Sequence, residues 1–253
     1  MSRDITTASP APADQRHAYG ADPSQFFELF LPQLSSDAKP RGFALMIHGG
    51  FWRAKYDLAH ASHLCAALAA AGIATANLEY RRVGNGGGWP ATFEDVRSGL
   101  AAARQHFAAV PIVIGHSAGG HLALRLAADS PDVRAVIALA PVADLQLAYD
   151  LHLSNDAVAG FLGGTPAERP TAYADADAAR HASSVPRALI HGTQDEDVPI
   201  ALSRSFVEQR GGDTGKVKLI ELDAASHLDL IDPASQAWPT VMDCFEGFLK
   251  QGS

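Results

Sequence analysis

Cysteine is scarce: Cys65 and Cys244 are the only two in 253 residues. Both fall inside apolar segments that read as helices, so two free thiols are expected and no disulfide framework. No CxxC, HExxH or His/Cys cluster has the spacing of metal ligands, and no metal site is expected. Long hydrophobic runs are missing as well. Nothing approaches the ~20 uninterrupted apolar residues of a membrane-spanning helix. The opening MSRDITTASPAPADQRHAYG has no apolar stretch to act as a signal peptide. The expectation is a cytoplasmic protein with no membrane partner. Positive charge is thin: the formal net charge is −8, and Lys and Arg form no run longer than Arg81-Arg82. Nucleic acid is a poor partner for such a chain.

What is present is an ordinary globular balance, 47% hydrophobic and 19% charged. A chain of this length buries roughly three quarters of its unfolded surface in one core. Residues 1–20, rich in Ala, Pro and polar side chains, read as a flexible arm, and residues 21–253 as a single domain. Short apolar strands then alternate with helices. Strands are expected at Phe26–Leu31, Gly42–His48, Ile73–Tyr80, Pro111–Gly115, Val133–Ala140, Arg187–His191 and Lys216–Leu222. Helices are expected at Ala59–Ala71, Thr92–Phe107, Ala118–Ala128, Ile200–Gln209 and Ser235–Leu249. Unbroken apolar strands between helices imply an α/β fold, its mostly parallel sheet covered on both faces. Pro141–Val185 does not fit the alternation. It reads as a short cap insertion above the carboxyl edge of the sheet, where open α/β folds bind ligands.

The strongest motif is Gly115-His116-Ser117-Ala118-Gly119-Gly120, directly after the strand PIVI and directly before a helix. G-x-S-x-G in that context holds a serine hydroxyl out on a sharp turn at a helix N-terminus, where the dipole favours a developing oxyanion. Ser117 needs a base, and the chain offers eleven histidines. His227 lies between the last strand and the last helix, at the same sheet edge as Ser117, and completes the chain order Ser, acid, His. His48 reads instead as a prop for the loop that follows it. The acid should follow the strand Arg187–His191. Asp195 comes early in that turn, while Asp197, just before Val198-Pro199, suits a helix N-cap; Asp144 is a third candidate. N–H donors for an oxyanion are expected from Ala118 and from the loop His48-Gly49-Gly50-Phe51-Trp52, whose glycines let backbone approach a substrate.

The set HGGFW (48–52), EYRR (79–82), GHSAGG (115–120), HGTQD (191–195) and Ser226-His227 resembles that of α/β-hydrolase serine esterases. It is most similar to their hormone-sensitive-lipase-like and kynurenine formamidase-like branches. The resemblance covers residues 17–250. It implies an eight-stranded sheet with one antiparallel edge, no cofactor, and Gly49, Gly50 and Phe51 as the oxyanion loop. Phe51 stands where the lipase-like branch usually has a third glycine, a pattern closer to the formamidases.

The function implied is hydrolysis of small carboxylic esters by Ser117, Asp195 and His227 through an acyl-enzyme. Cleavage of N-formylkynurenine, peptidase action and a non-catalytic ligand-binding role are the alternatives. The partner is a small ester or amide, with homodimer formation left open. Trp52, Trp89 and His116 are candidates to line the substrate site. Arg81 and Arg82 read as structural ion-pair partners.

Overall fold

The computed structural model describes residues 5, 8–35, 38–130, 132–210 and 216–251. Its centre is one eight-stranded sheet in the order β1-β2-β4-β3-β5-β6-β7-β8. The strands are β1 (Gln15–Ala18), β2 (Phe26–Phe30), β3 (Gly42–Ile47), β4 (Ile73–Leu78), β5 (Ile112–His116), β6 (Ala135–Leu139), β7 (Arg187–Gly192) and β8 (Val217–Leu222). Only β2 runs against its neighbours; from β4 to β8 every pairing is parallel. The α/β-hydrolase architecture implied by the motifs is the one present. β3, β4, β5 and β6 are buried along their whole length, which is why they read as unbroken apolar runs rather than alternating ones.

Leu45 and Ile47 point into one core, with Val96 and Leu100 of α2 (Ala91–Ala103), Leu122 and Leu126 of α3 (Ala118–Asp129), and Phe206 of α7 (Ala201–Gln209). Ala44 and Met46 point into the other, with Leu64 and Leu68 of α1 (Ser62–Ala70) and Val241 and Phe245 of α8 (Trp238–Lys250). The sheet is thus covered on both faces. From β3 the chain moves outward to β4, then crosses back over β3 to form β5. That reversal leaves a crevice at the carboxyl ends of β3 and β5, and open α/β sheets bind their ligands at such a point.

One expectation needs revision. β1 falls inside the stretch assigned to a flexible arm, yet it pairs with β2 from Gln15↔Leu29 to Ala18↔Phe26. Farther back, Ala11 N–H donates to Ser62 Oγ at 2.9 Å. An edge strand with three exposed positions of four shows no apolar alternation, and so left no signal. Residues 1–4, 6 and 7 of that arm lie outside the described residues.

The insertion folds into α4 (Leu145–Asp150), α5 (Leu153–Leu162) and α6 (Pro170–Ala176). Its apolar residues join the main core: Phe161 stacks on Trp52 with ring centroids 4.4 Å apart and planes 8° off parallel. Among the described residues no helix is long and apolar enough to cross a membrane.

Candidate active site

Ser117 joins β5 to α3 with φ 55° and ψ −118°, a strained conformation for a residue with a Cβ. The glycines around it are required by contact. A Cβ on Gly119 would lie 2.1 Å from the Ile47 carbonyl oxygen, and one on Gly115 would lie 2.3 Å from that of Gly119. The turn is pressed between the ends of β3 and β5, and only glycine fits. Ser117 N–H donates to the Leu139 carbonyl at 2.8 Å, anchoring the turn to β6.

The loops after β7 and β8 meet beside this serine. His227 Nδ1–H donates to Asp195 Oδ2 at 2.7 Å. Asp195 Oδ1 accepts the backbone N–H groups of Asp197 at 3.0 Å and Val198 at 2.8 Å. His191 Nε2 lies 3.3 Å from Asp195 Oδ2 while donating to the Val198 carbonyl at 2.8 Å. Burial alone would raise the Asp195 carboxyl. The bonds from His191 and His227, the His227 charge and the Val198 N–H outweigh it, and Asp195 is held well below the usual carboxylate range. The imidazole therefore faces an ionised, fixed acceptor.

The other two candidate carboxylates do not hydrogen-bond to His227. Asp144 caps α4 through Leu147 N–H at 2.8 Å and takes Ser205 and Gln209 on its second oxygen. Asp197 does not cap α7, as its position had suggested. The cap there is Ile200, with no side-chain hydrogen bond; Asp197 stands three positions before it, and the carboxylate faces the pocket instead. Ligand-type atoms of Asp195, Asp197 and His227 lie within 4.8 Å of one another. Both Asp195 oxygens are already taken by hydrogen bonds.

A cavity of about 150 Å³ opens onto the serine, lined by Gly50, Phe51, Tyr56, His60, His116, Ser117, Asp197, His227 and Leu228. Gly49 sits behind it: a Cβ there would approach Ser117 Cβ to 2.9 Å. Gly50 has φ +107°, and a Cβ would meet Tyr56 Cβ at 2.4 Å. Ala118, the residue after the serine, opens α3. The motif Glu79–Arg82 holds this loop from below. His48 reaches the Gly49 carbonyl through Nδ1 at 2.8 Å and Glu79 through Nε2 at 3.2 Å. Arg82 pairs with Glu79 at 2.7 Å, and Arg81 grips Asp95 with two nitrogens at 2.8 and 2.7 Å. His48 as a prop and the two arginines as structural partners are as expected.

His116 lines the cavity and donates from Nε2 to the His227 carbonyl at 3.1 Å. Trp52 and Trp89 do not line it. Trp52 is fully buried, stacked on Phe161 and edge-on to His121. Trp89 stacks on Phe93 and donates to Asp175 at 3.0 Å. Trp52 has φ 55°, and its ring packs into the core instead of lining the crevice. Tyr56, His60, Leu228 and the second imidazole on Asp195, His191, escaped the sequence reading. A tyrosine in a loop and a histidine in an Ala-rich turn carry no spacing signal.

Desolvated histidines make stability depend on pH. Burial lowers His121 to about 4, against its hydrogen bond to the Ala176 carbonyl. Burial, aided by His48, brings His60 to about 4. Between pH 6.5 and 4 the unfolded chain therefore binds more protons, and stability falls with acid in that window. His121 alone accounts for roughly 3 kcal/mol over the whole window. Asp195, depressed when folded, adds its loss only below the ordinary carboxylate range. Urea unfolding at pH 7, 6 and 5 should show this slope, flattened in His121→Gln; equal stability at pH 7 and 5 would contradict it.

The BD-FAE family profile matches residues 27–209, a span that includes the serine turn and Asp195. The chain belongs to the BD-FAE family. This BD-FAE chain is 28% identical over 260 residues to Esterase LipC of Mycobacterium tuberculosis, covering 87% of itself and 61% of LipC. It therefore spans about 61% of the length of that curated relative. Among solved structures, a truncated form of a carbohydrate esterase from gut microbiota superimposes with TM-score 0.81 at 20% identity, covering 96% of this chain and 100% of the other. Inhibited esterase B from Lactobacillus rhamnosis gives TM-score 0.80 at 19% identity, covering 98% and 91%. Both share the fold.

Proposed function

We propose that this BD-FAE member is a serine hydrolase that cleaves small carboxylic esters through an acyl-enzyme. The supporting observation is the meeting of three separate loops. A strained serine, and a histidine bound at 2.7 Å to a buried ionised aspartate, open onto one small cavity. The esterase names of its relatives agree with that reading.

In this mechanism His227 Nε2 takes the Ser117 Oγ proton as Oγ bonds to the ester carbon. The carbonyl electron pair moves to oxygen, and N–H groups of Gly50, Phe51 and Ala118 receive the oxyanion. Collapse breaks the C–O bond, and the imidazolium returns its proton to the departing alcohol. Water then repeats the sequence on the acyl-enzyme. Asp195 keeps Nδ1 protonated and stays ionised throughout.

The cavity limits the acyl group. Phe51 and Tyr56 wall one side of the cavity near 150 Å³, whose other side borders His227 and the departing alcohol. A long groove would gain about 0.8 kcal/mol for each methylene it buried. Here kcat/KM across p-nitrophenyl esters from formate to palmitate should peak between formyl and butyryl and fall at octanoyl. A maximum at ten carbons or more would overturn the small-acyl reading. N-formylkynurenine run beside p-nitrophenyl acetate separates a formamidase, which would favour the former.

A further inference from the structure

Resting on the ester reading, the leaving-group side of the pocket carries one feature that the triad does not use. Asp197 is exposed and lines the cavity beside His227 and Leu228. Its backbone N–H is fixed on Asp195 Oδ1 at 3.0 Å, so the turn that holds the acid also sets the place of this carboxylate. Among the described residues no donor or cation pairs with the Asp197 side chain, and neither Lys nor Arg lines the cavity. The nearby Lys55 ammonium lies 5.1 Å from the Tyr56 ring centroid. Of the three histidines in the wall, His60 and His116 are kept uncharged, mainly by burial, and His227, with a ring nitrogen within 4.8 Å of the Asp197 carboxylate, is held by Asp195. The pocket thus holds a carboxylate that no Lys or Arg of its wall neutralises.

Chemistry fixes which part of a substrate meets it. The imidazolium of His227 must hand its proton to the departing oxygen, so residues bordering His227 border the alcohol rather than the acyl group. We propose that Asp197 is a specificity-determining residue that makes this site favour esters of positively charged alcohols and disfavour esters of anionic ones. Two unit charges several ångströms apart at a protein surface change kcat/KM by roughly five- to tenfold, and the effect should shrink with added salt.

Three acetate esters test charge with little change of shape: acetylcholine, its uncharged carbon isostere 3,3-dimethylbutyl acetate, and 2-sulfoethyl acetate. The purified full chain should rank them in that order by kcat/KM, with each step roughly fivefold or more. Asp197→Asn should bring the ratios close to one, Asp197→Glu should keep the ranking, and Asp197→Lys should reverse it. Raising NaCl should compress the wild-type ratios and leave those of Asp197→Asn unmoved, which a merely structural residue would not produce. Equal rates on the three esters, or an unchanged ranking in Asp197→Asn, would overturn the proposal while leaving the ester reading intact. If the wild type hydrolyses none of the three and no p-nitrophenyl ester, the ester reading falls and takes this proposal with it.

Discussion

Ser117→Ala is expected to lower kcat on p-nitrophenyl acetate by roughly 10⁴–10⁶, with KM little changed. The hydroxyl is the only group on the strained turn that can bond to the ester carbon. Its loss leaves His227 and the N–H donors to bind a substrate without attacking it. Triad members act as a unit, so His227→Ala should fall in the same range, and the double variant should lose little more. Folding should survive. The strain at φ 55° is a backbone property that alanine shares, and the anchoring bond to Leu139 comes from the main chain. A purified, folded Ser117→Ala that keeps most of its activity would remove Ser117 from the chemistry.

Asp195→Asn is expected to cost on the order of 10⁴ in kcat. The aspartate accepts the His227 Nδ1 proton at 2.7 Å. An amide that turns its NH₂ toward the ring would hold the imidazole in the other tautomer, with the proton on the nitrogen that must accept one from serine. His191 sharpens this expectation. It lies 3.3 Å from the same Oδ2, and its Nε2–H favours an acceptor there, so an asparagine at 195 faces competing demands from two rings. Asp144→Asn serves as the comparison. Asp144 caps α4 and holds Ser205 and Gln209; an asparagine keeps the capping oxygen but sets an NH₂ against the Gln209 amide, so that variant should lose about 1 kcal/mol of stability and keep its kcat. The reverse ranking of these two variants would move the acid to Asp144.

Much of this was legible in the sequence, for identifiable reasons. The serine turn announced itself because close contact leaves no choice: Gly115, Gly119 and Gly120 face backbone or Pro141 at distances no side chain tolerates. The parallel strands were readable because burial on both faces erases alternation. Chain order pointed to the His227–Asp195 pair that the structure joins, since loops at one sheet edge must follow successive strands. The rest came from packing between distant segments. Trp52 is next to the candidate oxyanion residues in sequence and yet lies inside the core, because Phe161, 109 positions later, stacks on its ring. His60 reaches the cavity only because the 3₁₀ turn Leu58–Ala61 is tied to Glu79 through Leu58 N–H. β1 escaped because an exposed edge strand needs no apolar pattern. Asp197 was read by its distance from a helix start, and the turn built on Asp195 Oδ1 gives that residue another place.

Activation of Ser117 by His227 is tested most directly by covalent trapping. A fluorophosphonate probe added to the folded wild-type chain, followed by digestion and mass spectrometry, reads which hydroxyl has become nucleophilic. Labelling is expected on the peptide containing Gly115–Gly120, at Ser117 alone, and it should be lost in His227→Ala at matched concentration. Labelling of a different serine, or equal labelling of Ser117 with and without His227, would contradict the account.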